Sequence, residues 1–140
     1  MKRSKRKCDI KPVWSRTNKT RIERLVLKWR GLLLLNGYQI NLNFEPKQKI
    51  GEPELAADVD TNYPYRSGYT ISFWPRFLDS AKDEQARKVI HELVHIITIP
   101  MKAAAHDLVS EKLVLWRDIK DRDETMVDWI ATILHLRLEK

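Results

Sequence analysis

The chain holds one cysteine in 140 residues, Cys8, so it cannot build a disulfide framework. Long apolar runs are missing as well. The longest, Leu32 to Leu35, is flanked by Arg30-Gly31 and Asn36-Gly37 and is far too short to cross a bilayer. The opening MKRSKRK lacks the apolar stretch of a secretory signal. There is no internal repeat, no zinc-finger spacing and no RNA-binding aromatic motif. These absences point to a soluble, cytoplasmic, monomeric protein with no membrane partner. A chain of this length suits one domain that buries its own core around one active site.

What is abundant is positive charge, and it is unevenly placed. Residues 1–30 carry twelve Lys or Arg against Asp9 and Glu23, a balance of +10, so the rest of the chain carries −3 of the +7 total. A basic leader over residues 1–16 is therefore expected, flexible apart from Pro12 and Trp14 as docking points, followed by one domain over 17–140. Such a leader is a candidate for weak, sequence-independent contact with nucleic acid.

Periodicity places the elements. Asn18 or Thr20 can cap a helix running to about Leu35, with Ile22, Leu25, Val26, Trp29, Leu32 and Leu33 at helical spacing and Asn36-Gly37 ending it. Tyr38 to Phe44 alternates apolar and polar residues as a strand with one wet face. Further strands are expected at Leu55–Val59 and Tyr69–Trp74. Ser80 or Asp79, with Asp83, can cap a central helix that runs to about Thr98 and stops at Pro100. A helix from Ala103 to Trp116, a break at DIKDRDE and a last helix from Asp123 to Leu138 complete the chain. Strands set beside helices, without regular alternation, predict an α+β architecture. Trp29, Trp116 and Trp129 are expected in the core.

The chemistry lies in H-E-L-V-H, His91 to His95. Residues four apart on a helix project from one side, so two imidazoles can share one ion, and Glu92 stands beside them as a candidate base. Chance occurrence in a chain of this composition is under about 0.01. Zinc takes histidine nitrogen readily, and a catalytic zinc site uses three protein ligands. Glu124 is the preferred third ligand, with Asp128, Asp123, His106 and His135 as alternatives. Asp128, one turn after Glu124, can accept a hydrogen bond from a ligand histidine and set its tautomer. His106, Tyr63, Tyr65 and Tyr69 are candidates for stabilising an oxyanion. Cys8 is a candidate latency thiolate.

H-E-x-x-H followed by a helix bearing Glu124, with Asp128 one turn later, resembles a gluzincin, a zinc metallopeptidase whose third ligand is glutamate. The order of elements over residues 18–138 is similar to minimal gluzincins and to metallopeptidases of phages and mobile elements. The metzincin class is disfavoured, because Thr98 and Met101 stand where its extension needs Gly and His. The resemblance implies a zincin-like fold, a zinc ion on His91, His95 and Glu124, Glu92 as general base, and hydrolysis of a peptide or protein substrate. It also implies that strand Tyr69–Trp74 lies at the sheet edge beside the metal, with Phe73 and Trp74 shaping the cleft. The alternative function is a catalytically silent zinc-binding regulatory or DNA-associated protein of a phage or mobile element.

Overall fold

A computed structural model describes residues 13–60, 68–109 and 113–138, with side chains described in those ranges except at 100, 102–109, 113–119 and 138. The fold is α+β, with three α-helices and a small mixed sheet of three strands. The described residues include no helix long and apolar enough to cross a membrane.

Helix α1 spans Arg16–Leu32 and buries Ile22, Val26 and Trp29 on one face. Its cap is Ser15, whose hydroxyl accepts from the Asn18 N–H at 3.1 Å, in place of the expected Asn18 or Thr20. The folded part also begins earlier than expected. Trp14 is buried, packs on Phe44 at 5.1 Å between ring centroids and donates its indole N–H to the Glu45 carbonyl. The domain therefore takes in Trp14, Ser15 and Arg16 from the stretch assigned to the leader. The helix ends three residues before Leu35, and Leu34 turns the chain in a left-handed conformation. Arg30 then fastens this end to the sheet through the carbonyls of Leu35, Asn36 and Tyr38, at 3.3, 3.1 and 2.7 Å.

Strands β1 (Gln39–Phe44), β2 (Ala57–Val59) and β3 (Gly68–Phe73) lie in the order β1-β3-β2, with β1 parallel and β2 antiparallel to β3. This overturns the expectation that Tyr69–Trp74 forms an edge. β3 is the central strand, and β2 is an edge. Apolar burial explains the choice: Tyr69, Ile71 and Phe73 are all buried, as befits a strand paired on both sides. Phe73 is fully buried between Phe44, at 5.6 Å, and Phe77, at 4.9 Å.

Helix α2 spans Lys82–Val109 and does not stop at Pro100. An interior proline costs roughly 3 kcal/mol. Val89, Ile90, Leu93, Val94, Ile96 and Ile99 are all buried on the stretch that leads up to it. The capping box is not formed either. Ser80 Oγ accepts from Lys88 Nζ at 2.8 Å, and Asp83 with Glu84 meet the helix dipole in the first turn.

Helix α3 spans Leu113–Leu138 without the break expected at DIKDRDE, so one helix replaces the separate pieces predicted there. That segment has many charges but no Gly or Pro, and charge alone does not end a helix. Helix α3 packs antiparallel on α2, because Asp128 meets Arg87 while Asp123 and Glu124 meet His95. Val127 and Ala131 are buried in the core, joining Trp29, Ile71, Phe73 and the α2 residues. Trp129 is a correction: it is 68 % exposed, where the core was expected.

Candidate metal centre

The middle of α2 carries the motif on a face that meets both β2 and α3. His91 Nε2 and His95 Nε2 are 3.0 Å apart, and Glu124 Oε2 lies 3.5 Å from the first and 3.3 Å from the second. Four-coordinate zinc with donors at about 2.0–2.1 Å sets ligand atoms roughly 3.3 Å apart. The triangle fits that sphere. It is also the donor set of two imidazoles and one carboxylate that suits zinc. Among the described residues these three groups lie close enough to hold a metal ion.

A carboxylate stands on the far side of each imidazole, although His95 Nδ1 is buried without closing a hydrogen bond. His91 Nδ1 lies 3.4 Å from Asp128 Oδ1, and His95 Nδ1 lies 3.7 Å from Asp123 Oδ2. Asp123 and Asp128 thus stand behind the histidines and outside the ligand triangle. Asp128 is itself held by Arg87 at 2.6 Å, and Arg87 also grips both oxygens of Glu84, at 2.6 and 3.1 Å. His95 is buried, His91 half-buried and Glu124 half-exposed, so the triangle opens to one side.

The charges are strongly coupled. Hydrogen bonds from His91 and His95 hold the Glu124 carboxyl far below its ordinary range. Burial opposes protonation of His91, but the Glu124 hydrogen bond and the charges of Glu92, Glu124 and Asp128 outweigh it and raise its pKa. Glu92 is buried, which pushes its pKa up to about 8, and the charges of Asp58 and Glu124 add to the effect while His91 opposes it.

Strand β2 supplies the opposite wall. Asp60 N–H and the Ala56 carbonyl bond to β3, at 3.0 and 2.9 Å, so by alternation Ala57 and Val59 turn their peptide groups to the open edge. The Val59 N–H reaches the Glu92 carboxylate from there. A cavity of about 360 Å³ lies between the elements, bounded by Leu55, Ala57, Asp58 and Val59, by His91, Glu92 and His95, and by Lys120 and Glu124.

Phe73 and Trp74 do not line this cavity. Phe73 is core, and Trp74 is half-buried with its indole nitrogen turned toward Asp58 without closing a hydrogen bond. Tyr69 is buried against Tyr38 at 5.8 Å, which removes it as an oxyanion stabiliser. His135 lies outside the cluster. Cys8, Tyr63 and Tyr65 fall outside the described residues, and His106 and Trp116 outside the described side chains.

Sequence reasoning missed Arg87, Asp58 and Lys120. Lys120 stands one turn before Glu124, a spacing hidden by the expected helix break. Asp58 belongs to a strand whose edge position no pattern of three residues reveals. Comparison with protein families, with curated proteins and with solved structures returns no match, so the chemistry of this chain is read from its own residues.

Proposed function

We propose that this chain is a zinc-dependent peptidase of gluzincin type with a zincin-like fold. The observation that carries the reading is the convergence of His91 Nε2, His95 Nε2 and Glu124 Oε2 beside a buried Glu92 and an open strand edge. Zinc held by these three residues would supply Lewis acidity to a substrate carbonyl and to water.

The remaining work falls to the chain. An extended peptide adds to the free edge of β2, pairing with the outward peptide groups of Ala57 and Val59. Val59 gives its N–H to Glu92, which leaves the Ala57 N–H and the Ala57 and Val59 carbonyls for substrate. Glu92 takes a proton from the attacking water and delivers it to the leaving amine. Asp128, close to His91 Nδ1, favours the orientation in which His91 Nε2 is directed inward.

The test is zinc content of purified protein together with hydrolysis of casein. The expected result is one zinc per chain and cleavage that Glu92→Gln abolishes while zinc is retained. Stoichiometric zinc with no cleavage of casein or of a peptide library would leave a metal-binding protein without turnover. Absence of zinc binding would remove the reading altogether.

A further inference from the structure

Away from the metal centre, helix α1 turns a second face to solvent. Ile22, Val26 and Trp29 point into the core, and six Lys or Arg with only Glu23 among them share the helix with these apolar residues. Three of the six are committed. Lys19 stands over the Phe44 ring, Lys28 over Trp29, and Arg30 binds three backbone carbonyls. The other three, Arg16, Arg21 and Arg24, have no hydrogen bond or ion pair among the described residues, and together with the hydroxyls of Thr17 and Thr20 they line one open cavity of about 420 Å³.

We infer that this face of α1 binds the phosphate backbone of duplex nucleic acid. Unpaired like charges on one helix face repel one another, and their placement is favourable when a polyanion takes the counter-charge. The geometry is linear: eight residues at 1.5 Å each put Arg16 and Arg24 about 12 Å apart along the axis. A nucleic-acid strand offers a phosphate every 3.4 Å of duplex, so the row spans roughly three or four of them. Arginine suits the task because its planar fork meets two phosphate oxygens at once. Thr17 and Thr20 add neutral donors between the guanidiniums. The lining of the cavity contains no aromatic residue, which leaves no platform for stacking bases and makes the contact one of backbone without sequence readout. Six further Lys or Arg, against Asp9 alone, precede this helix in residues 1–12 and extend the same charge. The inference stands apart from the peptidase reading, since none of these residues lines the metal cavity.

The experiment measures anisotropy of a short labelled DNA duplex titrated with the full chain across a range of salt. Parent protein binds with affinity that falls steeply with salt. R16Q/R21Q/R24Q in the full chain lowers the log–log salt slope by about 2 to 3 and weakens low-salt binding about tenfold or more, at roughly 0.9 of slope for each phosphate contact. Its circular dichroism stays that of the parent. Should the triple variant misfold, Arg21→Gln and Arg24→Gln separately each lower the slope by about 0.9. A second variant, with Lys2, Arg3, Lys5, Arg6, Lys7 and Lys11 all replaced by Gln, keeps the α1 share of the slope. Three results would overturn the assignment: a triple variant that binds like the parent, a residue 1–12 variant that loses all binding, or tighter binding to phosphatidylserine vesicles with the same arginine dependence.

Discussion

Arg87 and Asp128 meet at 2.6 Å across the α2–α3 interface, and the same Asp128 oxygen lies 3.4 Å from His91 Nδ1. The carboxylate that orients one histidine is thus itself held by a cation from the same helix as that histidine.

Breaking this chain of contacts should loosen the metal without removing a ligand. Asp128→Asn is expected to weaken zinc binding by about 10- to 100-fold, the usual cost of losing an outer-shell partner, with Arg87→Met acting in the same direction. Competition against a chromogenic chelator measures both. Parent-like affinity in Asp128→Asn would mean that Asp128 does not support His91.

His91→Ala and His95→Ala should each remove a ligand and with it the thermal stabilisation that zinc confers. Free zinc at a hundred times its dissociation constant adds about 2.7 kcal/mol to a protein that binds it only when folded. Melting curves with zinc and with EDTA should separate for the parent and coincide for either variant. A variant that still separates from its EDTA curve keeps its ligand set.

Metal-free protein should lose stability as pH rises from about 4.5 to about 8. The Glu92 carboxyl binds its proton more tightly folded than unfolded, so over this window the unfolded chain ionises first and gains. His91, whose folded pKa is raised, acts in the same direction: its contribution is complete below the unfolded value of 6.5 and disappears as pH passes the folded value. Glu124 works at the acid end, since its depressed pKa contributes stability above 4.5 that is lost as pH falls toward the folded value. Denaturant titrations of EDTA-treated protein check the slope, and Glu92→Gln should flatten it. Zinc should reverse the trend, because metal displaces the His91 proton and binds better as pH rises.

The two tryptophans read alike in the sequence should part company on truncation. Trp29 is fully buried and Trp29→Ala should cost about 3–5 kcal/mol, the range for an aromatic removed from a core. Trp129 stands largely in solvent, and Trp129→Ala should change stability by no more than about 0.5 kcal/mol. Equal losses would mean that Trp129 is covered in solution.

The His91–His95 pair, Glu92 beside it and the elements that carry them were legible because helical spacing is a local property: residues four apart share a face whatever surrounds them. The same holds for the alternation of β1 and for the apolar stripe of α1, and period fixes which side of each element is buried. Local reasoning failed where a distant partner decides. Pro100 and the charged stretch before Glu124 both read as helix ends, yet α2 runs through the one and α3 through the other: a proline removes a single backbone hydrogen bond, and a run of charges removes none. Trp129 fits a helical apolar face as well as Trp29 does, and only the position of α2 determines which face of α3 is covered. Strand order is the plainest case. Tyr69–Trp74 and Ala57–Val59 are both short segments, and which becomes the edge beside the histidines depends on hydrogen bonds between residues far apart in the chain, as do the approach of Glu124 to the histidines and of Arg87 to Asp128.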